Sequence, residues 1–305
     1  MAPDNIPNRY LLPSLLSPER SPDSEHMDYF NGDRPAHLFP SPAEVRANPL
    51  LREVWGSCTT KFDSLNIVVK YGEHITASEA HCLRALRRLL PDEVPVPKVY
   101  GWCEDGGQVF IYMELITGVT LESQWGFLSD QAKEEVCKQL RIIVKGLRKL
   151  QQDPNDQFLG RIDRKPLLDV VFTDTIKPPA GPFDTVEEFH DWLSALIKIG
   201  KEIHFSDPSQ IPDPFREFLP DNSRIVFTHA DLHPSNVMMS ADASGHILAV
   251  IDWHQSGWYP EYWEFCKALF TSDFDGAWAT EYIPQFVDVA ECYDSWAWYP
   301  RTLGY

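Results

Sequence analysis

The chain has 305 residues, of which 43% are hydrophobic and 12% aromatic, so it can bury the core of one large or two modest domains and is not globally disordered. Its formal net charge of −18 argues against nucleic-acid and membrane-surface partners, because phosphate groups repel an acidic protein. No run of about 18 apolar residues occurs that would span a membrane, and the six cysteines lack metal-type or redox-type spacing. We therefore expect a cytoplasmic protein with reduced thiols.

The N-terminal region is rich in proline, since residues 1–49 hold 9 of the 25 prolines. Proline removes a backbone donor and restrains the residue before it, which disfavours long helices and central strands. We expect an irregular arm over residues 1–50, with ordered structure beginning near Leu51.

Strands and one helix are predicted between residues 51 and 115. LREVW and SLNIVVK predict two strands joined by a turn at GSCTT. ITASEAHCLRALRRLL has its apolar residues on one face and places Thr76 and Glu79 at capping-box spacing, which predicts an amphipathic helix. KVYGW and QVFIYMEL predict two further strands around EDGG. The order β-β-α-β-β indicates a small β-rich domain.

Residues 116–305 are predicted to be mainly helical. Ser129 and Thr185 are candidate N-caps, and apolar residues recur at helical spacing after each of them. RIVFTHADLHPSNVMMS, the turn ADASG and HILAVIDW indicate a loop followed by a β-hairpin. Helices are also predicted near 261–271 and 278–294.

The strongest chemical signal lies in VFTHADLHPSNVMM and ILAVIDW. Acids at the edges of apolar strands need a reason to be there, because burying a charge is costly. Asp231 precedes Asn236 by five residues within one loop, and Asp252 ends the hairpin that follows, so the three side chains can face one pocket. Oxygen ligands from Asn236 and Asp252 suit magnesium. Asp231 would then accept a proton from an attacking hydroxyl.

This segment resembles the catalytic core of the aminoglycoside phosphotransferase family, within the kinase-like superfold. The family's His-x-Asp, followed by Asn five residues after the Asp, is matched at His229, Asp231 and Asn236, and its Ile-Asp-Trp/Phe at 251–253. The continuation GWYPEYWEF is most similar to the fungal branch. The resemblance covers residues 51–271. It implies an α+β, bilobal protein-kinase-like fold with a small β-rich N-lobe and a larger, mainly helical C-lobe.

The resemblance implies roles for the residues of this segment. Asp231 resembles the catalytic base, and Asn236 and Asp252 resemble the magnesium ligands. His229 resembles the structural histidine that braces the loop. The second loop position, often Gly in the family, is Ala230 here, and a methyl group adds little bulk.

The resemblance also implies an ATP site in the nucleotide-binding N-lobe, residues 51–115, with 116–305 forming the C-lobe. Lys70 resembles the strand lysine that holds the α- and β-phosphates, and Glu79 its helix partner. The sequence MELI resembles the hinge, where the backbone of Glu114 and Ile116 would meet adenine. No Gly-x-Gly-x-x-Gly occurs between the first strands, and only GSCTT, with Ser57, is available to cover the phosphates.

The C-terminal region has an unusual composition. Residues 252–305 hold 16 of the 38 aromatic residues, with 9 acids against 2 bases. Aromatic faces beside carboxylates would suit a cationic amine or a planar ring. The candidate acceptor contacts are Glu261, Glu264, Asp273 and Trp263. The alternative is helix packing with a solvated acidic face.

The sequence leaves three functions open. The first is an ATP- and magnesium-dependent O-phosphotransferase acting on a small molecule, such as an aminoglycoside-like compound, an amino alcohol or a secondary metabolite. The second is a catalytically inactive, kinase-like scaffold, which the missing glycine-rich loop motivates. The third changes the acceptor to a protein or a choline-like amino alcohol. A protein substrate is disfavoured, because Asp252 is followed by WHQSGWYPEYWEF without an activation segment ending in Ala-Pro-Glu.

Overall fold

A computed structural model describes residues 9–11, 16, 29–30, 36–48, 52–54, 57–173, 178–199 and 211–305. Much of the predicted proline-rich arm lies outside the described residues. The chain divides into two compact units. Unit 1 comprises Met1–Leu12, Cys137–His233 and Gln255–Tyr305, and unit 2 comprises Pro13–Val136 and Pro234–His254. Within the described ranges, no helix has the length and apolar character needed to cross a membrane.

The secondary structure mixes strands and helices. The strands are β1 (Tyr29–Phe30), β2 (Arg52–Val54), β3 (Ser57–Phe62), β4 (Ile67–Gly72), β5 (Val99–Asp105), β6 (Gln108–Glu114), β7 (Val119–Thr120), β8 (Ile225–Thr228), β9 (Val237–Met239), β10 (Ile247–Val250) and β11 (Gly257–Pro260). The helices are α1 (Pro42–Arg46), α2 (Ala77–Leu89), α3 (Leu121–Gln124), α4 (Asp130–Leu147), α5 (Val186–Leu196), α6 (Trp263–Phe270), α7 (Ile283–Phe286) and α8 (Tyr293–Leu303).

Unit 2 contains an antiparallel sheet in the order β1-β5-β6-β4-β3-β2. Ile67 and Val69 on β4 pack with Phe110 and Tyr112 on β6 in a buried core. This packing is expected, because β-branched and aromatic residues favour strands and pack well on the buried face of a sheet. Helix α2 contacts β5 and β6 through its apolar face. The predicted helix and the strands after it are confirmed.

The predicted turn at GSCTT is wrong from Ser57 onward. Ser57–Phe62 forms strand β3, which pairs with Ile67–Gly72 on one side and with Arg52–Val54 on the other. Two adjacent β-branched residues, Thr59 and Thr60, favour the extended conformation. The region before α2 is therefore a three-stranded meander rather than one hairpin.

A smaller sheet in unit 2 has the order β10-β9-β7 and contains the predicted hairpin. The N–H of Ile251 donates to the carbonyl of Asn236 at 2.9 Å, so the pairing continues one step beyond the strands. Gly118 precedes β7, where an added Cβ would lie 2.4 Å from the carbonyl oxygen of Met239. A side chain at this position would prevent the close approach of β7 to β9.

Two helices after β6 begin at their predicted caps. The N–H of Ala132 donates to Ser129 Oγ at 3.2 Å at the start of α4, and the N–H of Glu188 donates to Thr185 Oγ1 at 3.1 Å at the start of α5. The predicted helix at 261–271 is found as α6. Unit 1 contains α5, α6 and the part of α4 that follows Val136.

The predicted helix over 278–294 is wrong in its second half. The helical segment ends at Phe286, because the backbone of Val287 is extended, and a new helix, α8, starts at Tyr293. Pro300 lies inside α8, so the sequence there does not look helical. Helix α8 packs on α6 through perpendicular rings of Trp296 and Trp263, with ring centroids 5.2 Å apart.

Candidate active site

A buried cluster of charges in unit 2 joins strand β4, helix α2 and the segment after β10. Lys70 Nζ lies 2.8 Å from Glu79 Oε2 and 2.6 Å from Asp252 Oδ1. Lys70 is only 8% exposed and Glu79 only 2%, whereas the Asp252 side chain keeps 46% of its surface exposed. Two residues of the cluster are thus fixed inside the unit, and the third faces solvent.

The lysine of this cluster is held in its charged form. Burial by itself lowers the pKa of Lys70, but the charges of Asp252 and Glu79 and their hydrogen bonds outweigh it, so the pKa lies above its usual value. A permanently charged ammonium is therefore built into a protein whose net charge is strongly negative.

Glu79 connects the lysine to the segment after β10. Its Oε1 accepts hydrogen bonds from Lys70 Nζ at 3.0 Å and from the N–H of Trp253 at 3.2 Å. The side chain of Thr76 makes no capping hydrogen bond to the first turn of α2, so the predicted capping box is not formed. The carboxylate that could have capped the helix pairs with Lys70 instead.

Asn236 and Asp252 lie at the same open end of the β9–β10 hairpin. The bond between Ile251 and Asn236 sets the two segments side by side. Asp252 has a φ of 63°, in the left-handed region that is costly for a residue with a side chain. Such a conformation persists where the surrounding contacts enforce it. Here Lys70 Nζ donates to the Asp252 carboxylate, and the next backbone N–H, that of Trp253, donates to Glu79.

The oxygen atoms of Asn236 and Asp252 suit magnesium, which binds a few protein oxygens together with phosphates and waters. Across the described ranges, no group of three or more His, Cys, Asp or Glu side chains is arranged to hold a metal ion. Asn236 and Asp252 would supply only a few of the oxygens that a magnesium ion needs and would leave its other positions to further ligands.

The loop His229–Asp231 follows β8 in unit 1. The N–H of Asp231 donates to His229 Nδ1 at 3.1 Å, and the N–H of His233 donates to the carbonyl of Asp231 at 2.8 Å. Ala230 is fully buried with a φ of 64°, which explains why glycine suits this position. His229, itself fully buried, thus fixes the backbone of the residue predicted to be the catalytic base.

Glu264 on α6 holds the same loop in place. Its Oε2 accepts from the N–H of His229 at 2.8 Å, and its Oε1 accepts from the N–H of Ala230 at 3.2 Å. Glu264 is fully buried, and an ionised acceptor makes hydrogen bonds stronger than a neutral one does. This function was not predicted, because nothing in the local sequence relates residue 264 to a loop more than thirty residues earlier.

Replacing Glu264 by glutamine should loosen this loop. The amide keeps one acceptor oxygen but turns an NH₂ group toward the other backbone donor, which then stays unsatisfied at a cost of about 1–3 kcal/mol. We expect a lower free energy of unfolding in urea and a reduced turnover. Glu261→Gln, next to α6 and paired with the exposed Arg224, is the matched control and should cost less than about 1 kcal/mol. Equal stabilities of the two variants would contradict the assigned function of Glu264.

The residues predicted to contact the nucleotide base lie at the end of β6. Glu114 is fixed there, because its N–H donates to the carbonyl of Lys98 at 2.8 Å and its Oε2 accepts from the N–H of Lys98 at 3.1 Å. Ile116 follows in an irregular segment and is partly exposed. Ser57 is the first residue of β3 and pairs with Gly72 of β4.

The residues predicted to contact an acceptor differ in how deeply they are buried. Trp263 and Glu264 are fully buried, and Trp263 Nε1 donates to Asp169 Oδ2 at 2.8 Å, so neither presents a surface to a ligand in this structure. Glu261 is partly exposed and bonded to Arg224, and Asp273 is exposed. Much of the aromatic richness of this region is therefore core packing.

Solved structures with a similar fold are aminoglycoside phosphotransferases. A thermostable mutant of APH(4)-Ia in its apo form is 16% identical, with 82% of this chain and 80% of that chain covered and a TM-score of 0.51. A ternary complex of a thermostable mutant of the same enzyme with AMP-PNP and hygromycin B is 18% identical over 72% and 70% at a TM-score of 0.49. APH(3'')-Id from Streptomyces rimosus is 12% identical over 84% and 92% at 0.49. The likeness to the apo form, at a TM-score of 0.51 and 16% identity, is one of fold, and it confirms the predicted kinase-like α+β class.

A family model described as "Phosphotransferase enzyme family" matches residues 76–299, which is most of the chain. The chain therefore belongs to the phosphotransferase enzyme family. Among curated proteins no sequence matches. The similarity to a fungal branch of the family stays a prediction.

Proposed function

We propose that this phosphotransferase uses ATP and magnesium to phosphorylate a hydroxyl group of a small molecule. The observation that carries the proposal is the buried Lys70, held between Glu79 of a helix and Asp252 of the Ile-Asp-Trp motif. Kinase-type sites pair a strand lysine with a helix glutamate and place a metal-binding aspartate beside them. Membership of the family supports the class of reaction.

Each charged residue has a proposed task toward the nucleotide. Lys70 would bind the α- and β-phosphates, since its ammonium is fixed and charged. Asp252 and Asn236 would hold magnesium through their oxygens, and the ion when bound supplies positive charge to the β- and γ-phosphates. The backbone of Glu114 and Ile116 would meet adenine, and Ser57, at the start of β3, would help to cover the phosphates.

Asp231 is the proposed catalytic base. Phosphoryl transfer needs placement of the attacking oxygen more than covalent help, and a carboxylate that accepts the hydroxyl proton provides both placement and proton removal. That carboxylate lies on a fixed loop. The N–H of Asp231 donates to His229, and Glu264 accepts from the N–H groups of His229 and Ala230.

The proposed acceptor is a small molecule that is cationic or aromatic. Of the four candidate contacts, Glu261 and Asp273 keep exposed carboxylate surface, and Trp263 and Glu264 are assigned to packing and to the loop. A screen of amino sugars, amino alcohols and aromatic alcohols with labelled ATP, read by the gain of one phosphate in mass, identifies the class. A protein acceptor stays disfavoured.

Replacing Asp252 by alanine should weaken the binding of magnesium-ATP. The variant removes a proposed metal ligand and one of the two carboxylates around Lys70, and even the loss of a residue that supports a metal ligand typically costs about 10–100-fold in affinity. Calorimetric titration with magnesium-ATP measures the change. Asp242→Ala, in the turn of the same hairpin, is the control and should bind normally. Unchanged affinity in the Asp252 variant would remove it from the metal site.

An inactive scaffold remains the second candidate because β2 and β3 are joined without a glycine-rich loop. A thermal shift with magnesium-ATP separates the two, since a ligand that binds only the folded state raises the melting temperature. An absent shift favours the scaffold.

A further inference from the structure

Two cysteines far apart in sequence form a pair in unit 1. Cys266 lies in α6 and Cys292 is the residue that precedes α8, and each of the two thiols shifts the pKa of the other. Neither takes part in the chemistry proposed above. Their separation in the sequence matches no redox motif, so the pair becomes visible only in the fold.

Helix packing holds this pair together. Helices α6 and α8 contact each other, and the residues next to the two cysteines, Phe265 and Tyr293, have ring centroids 6.3 Å apart at 82°. Trp263 of α6 and Trp296 of α8 are also in edge-to-face contact. A disulfide requires the two sulfurs to come within about 2 Å of each other, which the contact between α6 and α8 at this point favours.

The two thiols differ in access. Cys266 is fully buried, whereas Cys292 is partly exposed and lines a cavity of ≈ 760 Å³ together with Tyr262, Arg148 and Ser295. A small oxidant entering this cavity meets Cys292 first. The hydrogen bond from Cys266 lowers the pKa of the Cys292 thiol, and burial raises the pKa of the Cys266 thiol. Both differences assign the first attack to Cys292 and the second to Cys266.

We propose that Cys292 and Cys266 are an oxidation site that a hydroperoxide converts into an intramolecular disulfide. The Cys292 thiolate attacks the terminal oxygen of hydrogen peroxide, the O–O bond breaks, and the departing hydroxide takes up the thiol proton to leave as water. The sulfur of Cys266 then attacks the sulfenic sulfur, an S–S bond forms, and the hydroxyl group leaves as a second water with the Cys266 proton. Two thiols and one peroxide thus give one disulfide and two waters.

Peptide mapping of peroxide-treated protein tests this directly. The folded, reduced chain is treated with hydrogen peroxide, the remaining thiols are alkylated, and the protein is digested with trypsin without reductant. Cleavage after Arg224, Lys267 and Arg301 places Cys266 in peptide 225–267 and Cys292 in peptide 268–301. We expect these two peptides to appear as one linked species that separates on reduction.

Cys58 on β3 is the internal control, because it is also partly exposed. The linked species should form before Cys58 is oxidised, and it should come from monomeric protein on a non-reducing gel. Absence of the link at peroxide doses that oxidise Cys58, or a link found only between two chains, overturns the proposal.

Two variants test which of the two cysteines is oxidised first. Cys266→Ser should leave Cys292 as a sulfenic acid that a cyclic diketone traps, because the second thiol is missing. Cys292→Ser should leave Cys266 unmodified at the same dose. If Cys266 is oxidised as fast without Cys292 as with it, the assignment of Cys292 as the attacking thiol is wrong.

Discussion

Asp231→Asn is expected to lower the rate of phosphate transfer by about 10²–10⁴-fold and to leave the affinity for magnesium-ATP nearly unchanged. Asparagine has almost the same shape, so the bonds that fix the loop, from the N–H of Asp231 to His229 and from His233 to the carbonyl of Asp231, are kept. The amide cannot accept the proton of an attacking hydroxyl. The rate constant of the chemical step, measured by single turnover with an accepted substrate, is the quantity that should fall.

The control for this variant is Asp156→Asn, which makes the same chemical change at an exposed ion pair with Arg164. Its effect on turnover should be negligible, because exposed pairs contribute little. If Asp231→Asn keeps nearly the rate of the unchanged protein, Asp231 is not the base. If instead magnesium-ATP binding is lost with the rate, Asp231 acts on the nucleotide and its proposed task is wrong.

Local signals predicted the elements that depend on near neighbours. Ser129 and Thr185 begin helices as their spacing indicates, because a cap and its first turn lie within four residues of each other. Thr76 has the same spacing and makes no such cap, since Glu79 is drawn to Lys70 on a neighbouring strand. The same local pattern therefore gives different structures when a distant charge competes for the carboxylate.

Closeness in the sequence accounts for two parts of the proposed site. His229 and Asp231 share one loop, and the β9–β10 hairpin returns the chain from Asn236 to the segment that carries Asp252. Glu264 was placed among acceptor contacts because it lies in an aromatic, acidic stretch. Its actual partners, the N–H groups of His229 and Ala230, are known only once α6 packs beside the loop. The proposed oxidation site of Cys266 and Cys292 could not be predicted from the sequence for the same reason.

Lys70→Met should affect both stability and catalysis, because the lysine neutralises a buried carboxylate. Removing it leaves Glu79, which is 2% exposed, without its counter-charge, and breaking a buried pair from one side typically costs about 3–5 kcal/mol. Asp252 is solvated in part and should suffer less. We expect a lower unfolding midpoint in urea and a fall in kcat/KM for ATP of about 10²-fold or more.

A double variant separates the two effects. Adding Glu79→Gln to Lys70→Met replaces the buried carboxylate with a neutral amide, which should recover most of the lost free energy of unfolding. It cannot recover ATP turnover, because the ammonium proposed to hold the phosphates is still missing. Relative to Lys70→Met, the double variant should therefore regain stability but not activity. Recovery of turnover together with stability would show that Lys70 only supports the fold, and the proposed nucleotide site would lose the residue on which it most depends.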